Sequence, residues 1–289
     1  MILDGRIARD FYKKKITERV KNLSALGCTP KLAILQIGDN AESNVYIEQK
    51  KKFALSIGAL VEHIRIKEDV TEQFVAGEIG KLNERHDVHG IILQLPVPGH
   101  LDKLALINHI DPRKDVDGLT DENQILLEKG GPRFIPATAK GVILLLDFYN
   151  IDLKNKKVAV LGRSRLVGHP TAEILRSRGA HVTVCHSKTE HTKEITRNSD
   201  IVVVAIGKPQ FITRDYIKDG ATVVDVGINS VKGQSLQEET PKRKLVGDVD
   251  FEAVSSIARA ISPVPGGVGP MTVLSLFDNL VVSAESFIS

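Results

Sequence analysis

The sequence predicts an α/β fold in two domains. At 289 residues the chain is long enough for one large domain or two ordinary ones. Short apolar runs alternate with amphipathic segments on both sides of a glycine- and proline-rich stretch at 112–136. This alternation is typical of parallel sheets covered by helices. We therefore predict an N-terminal αβα domain, a C-terminal doubly wound domain and a cleft between them.

In the first half, apolar residues three to five positions apart indicate helices, and short apolar runs indicate strands. The predicted helices lie at 7–26, 41–57, 71–85 and 101–110. The predicted strands lie at 31–37, 59–66 and 90–95. Glycines after the first two helices are plausible stops.

The second half repeats the alternation after the loop-rich stretch. Its predicted helices lie at 139–148, 171–177 and 272–287. Its predicted strands lie at 157–161, 181–185, 200–206, 222–226 and 245–246. We expect the last helix to return to the first domain, so that the loop before it lies in the cleft.

Composition excludes several classes of protein. Hydrophobic residues make up 42% and charged residues 26%, as in globular rather than disordered chains. The net charge of +3 and the absence of Trp argue against a nucleic-acid partner. The longest apolar runs, 142–146 and 201–206, are too short to cross a bilayer. Two cysteines and no convincing metal-ligand spacing predict no disulfide framework, no metal and a cytoplasmic location.

A dense glycine and proline loop covers 262–272. Its glycines allow a ligand to approach the main chain closely, and its prolines stiffen the loop before binding. The composition favours a binding loop over a plain linker, although both interpretations remain open. The positions that would approach a ligand include Pro263, Gly266 and Gly267.

The apolar run 157–161 leads into Gly162, and a helix follows Gly168. In this strand–turn–helix context, helix N-terminal amides bind a pyrophosphate, as in Rossmann-type domains. The glycine spacing differs from Gly-x-Gly-x-x-Gly, so the motif alone is weak. It is also neither a Walker loop, because His169 follows Gly168, nor a nucleophile elbow.

The end of the next predicted strand favours NADP. Enzymes that use NAD usually carry a carboxylate there for the ribose 2′-hydroxyl, but this chain has Ser187 between His186 and Lys188. A hydroxyl and cations, with Arg163 nearby, would accept a 2′-phosphate that a carboxylate repels. The alternative is an ordinary solvated loop. Ile228 follows another strand, at the edge where such sheets bind ligands.

Ser43, Tyr46 and Lys50 share one face of the second predicted helix, within about 60° at 100° per residue. A hydroxyl, a phenol and an amine are an unusual choice for packing. A partly buried lysine would have a lowered pKa and could act as a base. Lys50 is equally consistent with the start of a solvated run of three lysines.

Two further polar groups lie in the first half. Gln94 interrupts an apolar strand, so it is either a core glutamine with satisfied hydrogen bonds or an orienting group at the strand end. Asp115 and Asp117 stand in a loop that lacks the other ligands of a calcium site. A carboxylate there matches the amidine edge of a pterin or purine through two parallel hydrogen bonds.

Taken together, these segments resemble the bifunctional methylenetetrahydrofolate dehydrogenase and methenyltetrahydrofolate cyclohydrolase family over the whole chain. The order of so many motifs is far more specific than any one of them. The motifs lie at 40–50, 92–96, 114–118, 136–141, 162–168, 186–188, 227–229, 247–249 and 263–272.

The resemblance implies a folate-binding catalytic domain at 1–138, completed by a C-terminal helix at 271–289, and a Rossmann-type NADP-binding domain at 139–270. It implies that tetrahydrofolate one-carbon derivatives are the substrates and that the protein is a homodimer. The implied catalytic residues are Lys50, Tyr46, Gln94 and Asp117. The implied substrate-binding residues are Ser43, Tyr46, Asp117, Pro263, Gly266 and Gly267. The implied NADP-binding residues are Gly162, Arg163, Ser164, Ser187 and Ile228.

The chain departs from the family pattern at two positions. Ala139 replaces a usual proline at a predicted helix start, which removes some rigidity. Ser262 replaces a usual threonine and keeps the hydroxyl. We expect both to tune activity rather than abolish it.

The implied activity is oxidation of 5,10-methylenetetrahydrofolate with NADP, followed by hydrolysis to 10-formyltetrahydrofolate with Lys50 as the base. The alternatives are a monofunctional dehydrogenase, a non-catalytic folate- or nucleotide-binding scaffold and an unrelated Rossmann-type dehydrogenase. The intact Tyr46, Lys50 and Gln94 set argues against loss of hydrolysis.

Overall fold

The computed structural model describes residues 1–232 and 243–288. The chain folds into two compact units. We call Asp10–Ala137 with the chain from Val273 onward the first unit, and Met1–Arg9 with Thr138–Thr272 the second unit. Ser289, the last residue of the predicted C-terminal helix, lies outside the described residues. The predicted α/β class with parallel sheets is confirmed.

The first unit contains a three-stranded parallel sheet in the order β2-β1-β3. Its strands are β1 (Lys31–Ile37), β2 (Leu60–Ile66) and β3 (Gly90–Gln94). Its helices are α2 (Ala41–Ile57), α3 (Glu72–Glu84), α4 (Lys103–Asn108) and α5 (Asp121–Glu128), and most of α1 (Gly5–Ala25) belongs to it. The central strand β1 and the edge strand β3 are almost entirely buried, as expected for a parallel sheet covered on both faces.

Local signals fix the ends of α2, the helix that carries three predicted site residues. The Asn40 side chain accepts a hydrogen bond from the Ser43 backbone N–H at 2.9 Å and caps the helix. Gly58 ends the helix in the left-handed conformation, at a φ of 83°. Both boundaries agree with the sequence prediction.

The second unit contains a five-stranded parallel sheet in the order β10-β7-β6-β4-β5. Its strands are β4 (Lys157–Leu161), β5 (His181–Cys185), β6 (Ile201–Val204), β7 (Thr222–Asp225) and β10 (Ala260–Ile261). A separate antiparallel pair consists of β8 (Asn229–Lys232) and β9 (Arg243–Val246). The helices of the second unit are α7 (Gly168–Ser177), α8 (Thr192–Arg197) and α9 (Phe251–Ser255). Most of α6 (Ala137–Phe148) and the start of α10 (Val268–Ile288) also belong to it.

Residues 1–9 were predicted with the first domain, but they pack with the second unit. The Leu3 backbone N–H donates to the Ile261 carbonyl at 2.9 Å, and the Gly5 N–H donates to the Gly266 carbonyl at 2.8 Å. Ile2 also forms a parallel bridge with Ile261. The N-terminus therefore continues the sheet beyond β10.

Several short elements escaped the sequence prediction. The helix α5 lies inside the predicted loop 112–136, and α8, α9, β8 and β10 were also missed. These elements have two to eight residues each, so hydrophobic periodicity gives little signal. The Thr120 side chain accepts from the Asn123 N–H and caps α5, a signal that the glycines around it obscured.

Several helices begin earlier than predicted, and several strands end earlier. The helix α10 starts at Val268, not at 272, because Pro270 in its first turn needs no N–H partner. The helix α7 starts at Gly168, not at 171. The strand β6 ends at Val204, not at 206, because the Asp248 carboxylate takes the N–H groups of Ile206 and Gly207.

The helix α10 is long and apolar enough to cross a membrane by length and composition alone. This differs from the expectation that every apolar run is too short. The apolar window of α10 is 56% buried, and buried helices of globular proteins meet the same criteria. Among residues 1–232 and 243–288, no group of three or more His, Cys, Asp or Glu side chains is placed to hold a metal ion.

Lys114 is a buried lysine that hydrogen-bonds the end of α3 in the first unit. Its ammonium donates to the carbonyls of Leu82, Asn83 and Arg85 at 3.2, 2.8 and 2.6 Å, where α3 ends. The last carbonyls of a helix have no partner within it, so the lysine satisfies groups that burial would otherwise leave unpaired. Burial lowers the pKa of this ammonium.

We expect Lys114→Met to keep the packing of the aliphatic stem but to leave these carbonyls unpaired. The free energy of unfolding of the first unit should fall by about 2–3 kcal/mol, as when buried polar groups lose a charged donor. Urea unfolding followed by circular dichroism measures this change. Lys81→Met on α3, whose side chain is 74% exposed, is the matched control and should have little effect. Equal stability of the two variants would contradict the structural role of Lys114.

Candidate active site

The helix α2 and the end of β3 bring together four of the predicted site residues. The Lys50 Nζ donates to the Gln94 Oε1 at 2.7 Å. The Gln94 Nε2 donates to the Leu95 carbonyl at 2.8 Å, and the Ser43 Oγ donates to the same carbonyl at 3.3 Å. Tyr46 is half-buried on the same helix. Because an ammonium can only donate, the contact fixes which end of the Gln94 amide faces Lys50.

Two opposing effects set the protonation of Lys50. Burial lowers the pKa of its ammonium from the ordinary value of 10.5, and the negative charge of Asp117 raises it. Burial is the larger effect, so the pKa is lowered overall. The lysine is thus easier to deprotonate than a solvated lysine, which suits a proton acceptor. The structure therefore gives Lys50 a different environment from the exposed Lys52.

Asp117 lies in a loop that is held from several sides. The Asn279 Nδ2 on α10 donates to the carbonyls of Val116 and Ile135 at 2.9 Å each. Gly118 has a φ of 72°, and a Cβ there would lie 3.0 Å from the Pro136 nitrogen. Only glycine fits this position without strain. The carboxylate of Asp117 is consequently carried by a well-defined backbone.

Burial raises the pKa of the Asp117 carboxyl to about 6, while the Lys50 charge lowers it. Burial also raises the pKa of the Tyr46 phenol, with a smaller contribution from Glu42. A carboxyl, a phenol and an amine with shifted pKa values therefore lie in one part of the first unit. Such clustering is typical of catalytic sites.

The neighbouring Asp115 has a different role. Its Oδ2 accepts from the Thr120 backbone N–H at 2.7 Å and from the Asn123 Nδ2 at 2.8 Å. The side chain is buried and connects the loop to α5. Of the two carboxylates that the sequence offers, Asp115 is thus committed to the fold and Asp117 is the candidate for a ligand.

Asn279 is a site residue that the sequence analysis missed. It is 2% exposed, within an apolar helix, and it positions the Asp117 loop through two backbone carbonyls. The signal was available, because a buried amide in an apolar helix must find hydrogen-bond partners. Nothing local, however, indicates that those partners lie more than a hundred residues earlier in the chain.

In the second unit, the turn between β4 and α7 depends on glycine. Gly162 has a φ of 108°, and a Cβ there would lie 2.2 Å from the Ala205 carbonyl oxygen. A Cβ on Gly168 would lie 2.1 Å from the Gly162 carbonyl oxygen. The backbone therefore turns tightly into the N-terminus of a ten-residue helix. A bare backbone at a helix N-terminus fits the pyrophosphate of a dinucleotide.

The other predicted cofactor residues lie along the same carboxyl edge. Arg163, Ser164 and Ser187 are exposed, and Ile228 is 45% exposed. The Ser164 carbonyl accepts from the His169 N–H at 3.0 Å, so this serine also shapes the start of α7. No carboxylate occurs between residues 185 and 189. The exposed hydroxyl and cations therefore suit a phosphate on the ribose.

The glycine- and proline-rich loop also belongs to the second unit. The Gly267 N–H donates to the Pro263 carbonyl at 2.8 Å, and Gly266 has a φ of 113°. The Ser262 Oγ accepts from the Asp225 backbone N–H at 2.8 Å. The hydroxyl retained at this departure from the family pattern thus has a structural partner. The other departure, Ala139, is fully buried in the first turn of α6.

The predicted site residues therefore form two sets. The first set belongs to the first unit and lies on α2, at the end of β3 and in the loop after it: Ser43, Tyr46, Lys50, Gln94 and Asp117. Those at the carboxyl edge of the five-stranded sheet and in its loops belong to the second: Gly162, Arg163, Ser164, Ser187, Ile228, Pro263, Gly266 and Gly267.

Comparison with known proteins identifies both units. Residues 3–117 match the family model of the tetrahydrofolate dehydrogenase/cyclohydrolase catalytic domain. Residues 136–287 match the model of the NAD(P)-binding domain of the same family. The chain is 44% identical to the bifunctional protein FolD of Lactobacillus acidophilus, over 97% of this chain and 95% of that protein. It is 45% identical to the protein of the same name from Acholeplasma laidlawii, over 97% and 96%.

Solved structures give the same result. The bifunctional dehydrogenase/cyclohydrolase of Campylobacter jejuni matches with a TM-score of 0.92 and 38% identity, over 99% of each chain. The Trypanosoma brucei enzyme, solved with NADP and an inhibitor, matches with a TM-score of 0.93 and 36% identity, over 100% of this chain and 98% of that one. The predicted family and nicotinamide cofactor are confirmed, and the chain belongs to the tetrahydrofolate dehydrogenase/cyclohydrolase family.

Proposed function

We propose that this protein oxidises 5,10-methylenetetrahydrofolate with NADP and then hydrolyses the methenyl product to 10-formyltetrahydrofolate. It is an enzyme with a dehydrogenase and a cyclohydrolase activity. The observation that carries the proposal is the hydrogen bond of 2.7 Å between a lysine of lowered pKa, Lys50, and the orienting amide of Gln94. A scaffold that only binds ligands would not need this arrangement.

The first set of residues binds the folate, and most of the second set binds the cofactor. The 1–138 domain with the helix at 271–289 binds the folate, and the 139–270 domain binds the cofactor. Asp117 pairs with the pterin ring, Tyr46 stacks on it, and Ser43 lies at the same strand end. Pro263, Gly266 and Gly267 bind the folate through a stiff, side-chain-free backbone. Bound NADP supplies the acceptor for the hydride of the one-carbon bridge.

The hydrolytic step requires proton handling by the protein. Water attacks the methenyl carbon, the C=N π electrons return to nitrogen, and neutral Lys50 accepts the proton that the water loses. The bond between this carbon and N5 then breaks as the hydroxyl proton moves to N5, which leaves the formyl group on N10. The Gln94 Oε1 fixes the direction of the Lys50 amine. A cationic methenyl group nearby disfavours the charged lysine further, so substrate binding itself helps to keep the base neutral.

The cofactor is NADP rather than NAD. The exposed Ser187 stands where a carboxylate would repel a 2′-phosphate, and the exposed Arg163 and Lys188 supply positive charge. Gly162, Ser164 and the start of α7 bind the pyrophosphate. Ile228 contacts the cofactor with its half-exposed side chain.

The location and assembly of the protein are also part of the proposal. We place it in the cytoplasm as a homodimer that requires neither nucleic acid nor membrane. Both cysteines, Cys28 and Cys185, are unpaired thiols, as expected in a reducing compartment. The family resemblance supports the dimer. Size-exclusion chromatography with light scattering measures the assembly directly.

We expect Lys50→Met to abolish hydrolysis while hydride transfer persists in part, because only hydrolysis needs a base. The measurement follows reduced cofactor, methenyl-folate and formyl-folate together. Lys52→Met, an exposed lysine on the same helix, is the matched control and should change neither activity by more than about twofold. If hydrolysis by Lys50→Met were as fast as in the wild type, the role of Lys50 as the base would be wrong.

The pH dependence of hydrolysis should report the Lys50 environment. Since the neutral amine is the active form, the rate should rise with pH, with a midpoint below the ordinary lysine pKa of 10.5. The charged Asp117 raises the Lys50 pKa. Asp117→Asn should therefore move the midpoint to lower pH at saturating methenyl-folate, with the uncatalysed rate subtracted. A midpoint that stays in place or moves to higher pH would contradict this coupling.

Cofactor choice should depend on position 187. We expect Ser187→Asp to raise the KM for NADP by at least about tenfold, because the carboxylate repels the 2′-phosphate. The KM for NAD should fall or stay constant, since the new carboxylate can accept from the ribose hydroxyls. Ser187→Ala is the control that removes the hydroxyl without adding charge. An unchanged KM for NADP in Ser187→Asp would place the 2′-phosphate elsewhere.

A further inference from the structure

Two carboxylates without an assigned role lie at the carboxyl edge of the five-stranded sheet. Asp225 is the last residue of β7, and Asp248 follows β9 by two residues. Their exposed fractions are 3% and 0%. Buried carboxylates are costly unless they are fully hydrogen-bonded, so their presence needs an explanation.

Each carboxylate accepts hydrogen bonds from three donors. The Asp225 Oδ1 accepts from the backbone N–H groups of Gly227 and Asp248 at 3.0 Å each, and its Oδ2 accepts from Val249 at 2.9 Å. The Asp248 Oδ2 accepts from Ile206 and Gly207 at 2.7 and 2.9 Å. Its Oδ1 accepts from the Asn229 Nδ2 at 2.8 Å.

The two carboxylates are also packed reciprocally against two glycines. A Cβ on Gly227 would lie 2.2 Å from the Asp248 Cγ, and a Cβ on Gly247 would lie 1.8 Å from the Asp225 Oδ2. Gly227 follows Asp225 by two residues and makes room for Asp248. Gly247 directly precedes Asp248 and makes room for Asp225. The loops after β7 and β9 therefore pack tightly against each other, and each depends on a glycine in the other.

These hydrogen bonds hold three segments together: the residues after β6, after β7 and after β9. Ile228, a proposed cofactor contact, lies between Gly227, whose N–H is bound by Asp225, and Asn229, whose side chain is bound by Asp248. The side chain of Ile228 stays 45% exposed. The carboxylates thus hold the Gly227 backbone on one side of this residue and the Asn229 side chain on the other, while the Ile228 side chain stays exposed to a ligand.

The strand order indicates which half of a dinucleotide this edge would meet. In the order β10-β7-β6-β4-β5, Ser187 follows β5 on one side of β4, whereas residues 206–207 and Ile228 follow β6 and β7 on the other. Dinucleotides bind across the carboxyl ends of such sheets where the strand order reverses. With the 2′-phosphate at Ser187, the nicotinamide half would lie over the ends of β6 and β7.

We propose that Asp225 and Asp248 are positioning residues that hold Ile228 and the 206–207 segment in place for the nicotinamide half of the cofactor. The inference rests on the proposed NADP-dependent function. Burial raises the pKa of the Asp225 carboxyl to about 7, against the effect of its backbone donors. The arrangement therefore carries a cost that simple apolar packing of these loops would avoid.

The test uses Asp248→Asn in the full-length protein. Asparagine keeps one acceptor oxygen, but its NH₂ group must face donors on the other side. The substitution therefore loses the hydrogen bonds either to Ile206 and Gly207 or to Asn229. We expect the KM for NADP to rise by at least about tenfold, with a lower kcat for dehydrogenation. Inhibition by adenosine 2′,5′-bisphosphate, a probe of the adenosine half only, should change by less than about twofold. Hydrolysis of added methenyl-folate without NADP should also be retained.

Two further variants make the test decisive. Asp250→Asn is the matched control, because Asp250 caps α9 through the Ala253 N–H and asparagine caps a helix equally well. Asn229→Ala removes one donor to Asp248 and should give the same pattern with a smaller effect. It replaces Asp248→Asn if that variant fails to fold.

The outcomes separate this inference from the proposed function. A wild-type protein without NADP-dependent oxidation would refute the proposed function itself. An active wild type with an unchanged KM for NADP in the folded variants would refute the positioning role alone. A proportional loss of adenosine-bisphosphate binding and NADP binding would show general disruption of the sheet edge and would also overturn the inference.

Discussion

A backbone group that leaves a buried parallel sheet must find a new hydrogen-bond partner, and both units of this protein meet that requirement with buried polar side chains. In the first unit, the Gln94 amide and the Ser43 hydroxyl both bind the Leu95 carbonyl beyond β3. In the second, Asp225 and Asp248 bind the N–H groups that follow β6, β7 and β9. The candidate chemistry lies at these strand ends because polar groups are needed there in any case.

The first unit adds a pair of opposing charges to this arrangement. Burial favours the neutral forms of both Lys50 and Asp117, whereas their mutual attraction favours the charged forms. The protonation of one group therefore depends on the other, and the pKa values of both are shifted from their ordinary values towards neutral pH. Asn279 and Gly118 hold the Asp117 backbone, so the coupling rests on fixed geometry and not on two mobile side chains.

Glycine has a steric role in the second unit that goes beyond flexibility. Gly162, Gly168, Gly227 and Gly247 each occupy a position where a Cβ would lie closer than 2.5 Å to another atom of the protein. At the first two positions the space is taken by backbone, and at the last two by a buried carboxylate. The edge of the sheet is therefore packed densely at these four positions, and the bare backbone around Gly162 suits the close approach of a phosphate.

The sequence by itself determined the α/β class, the positions of the long elements and the chemical types at Lys50, Gln94 and Asp117, because periodicity, caps and polar interruptions are local signals. It also predicted the correct family from ordered motifs. It missed the short helices such as α5 and the early start of α10. Only the tertiary structure showed that Asp115 is committed to hydrogen bonds within the fold, and only the tertiary structure joined Asn279 to a loop far earlier in the chain. Such pairings depend on which backbone groups are left unsatisfied after the sheets have formed, and that is a property of the folded chain.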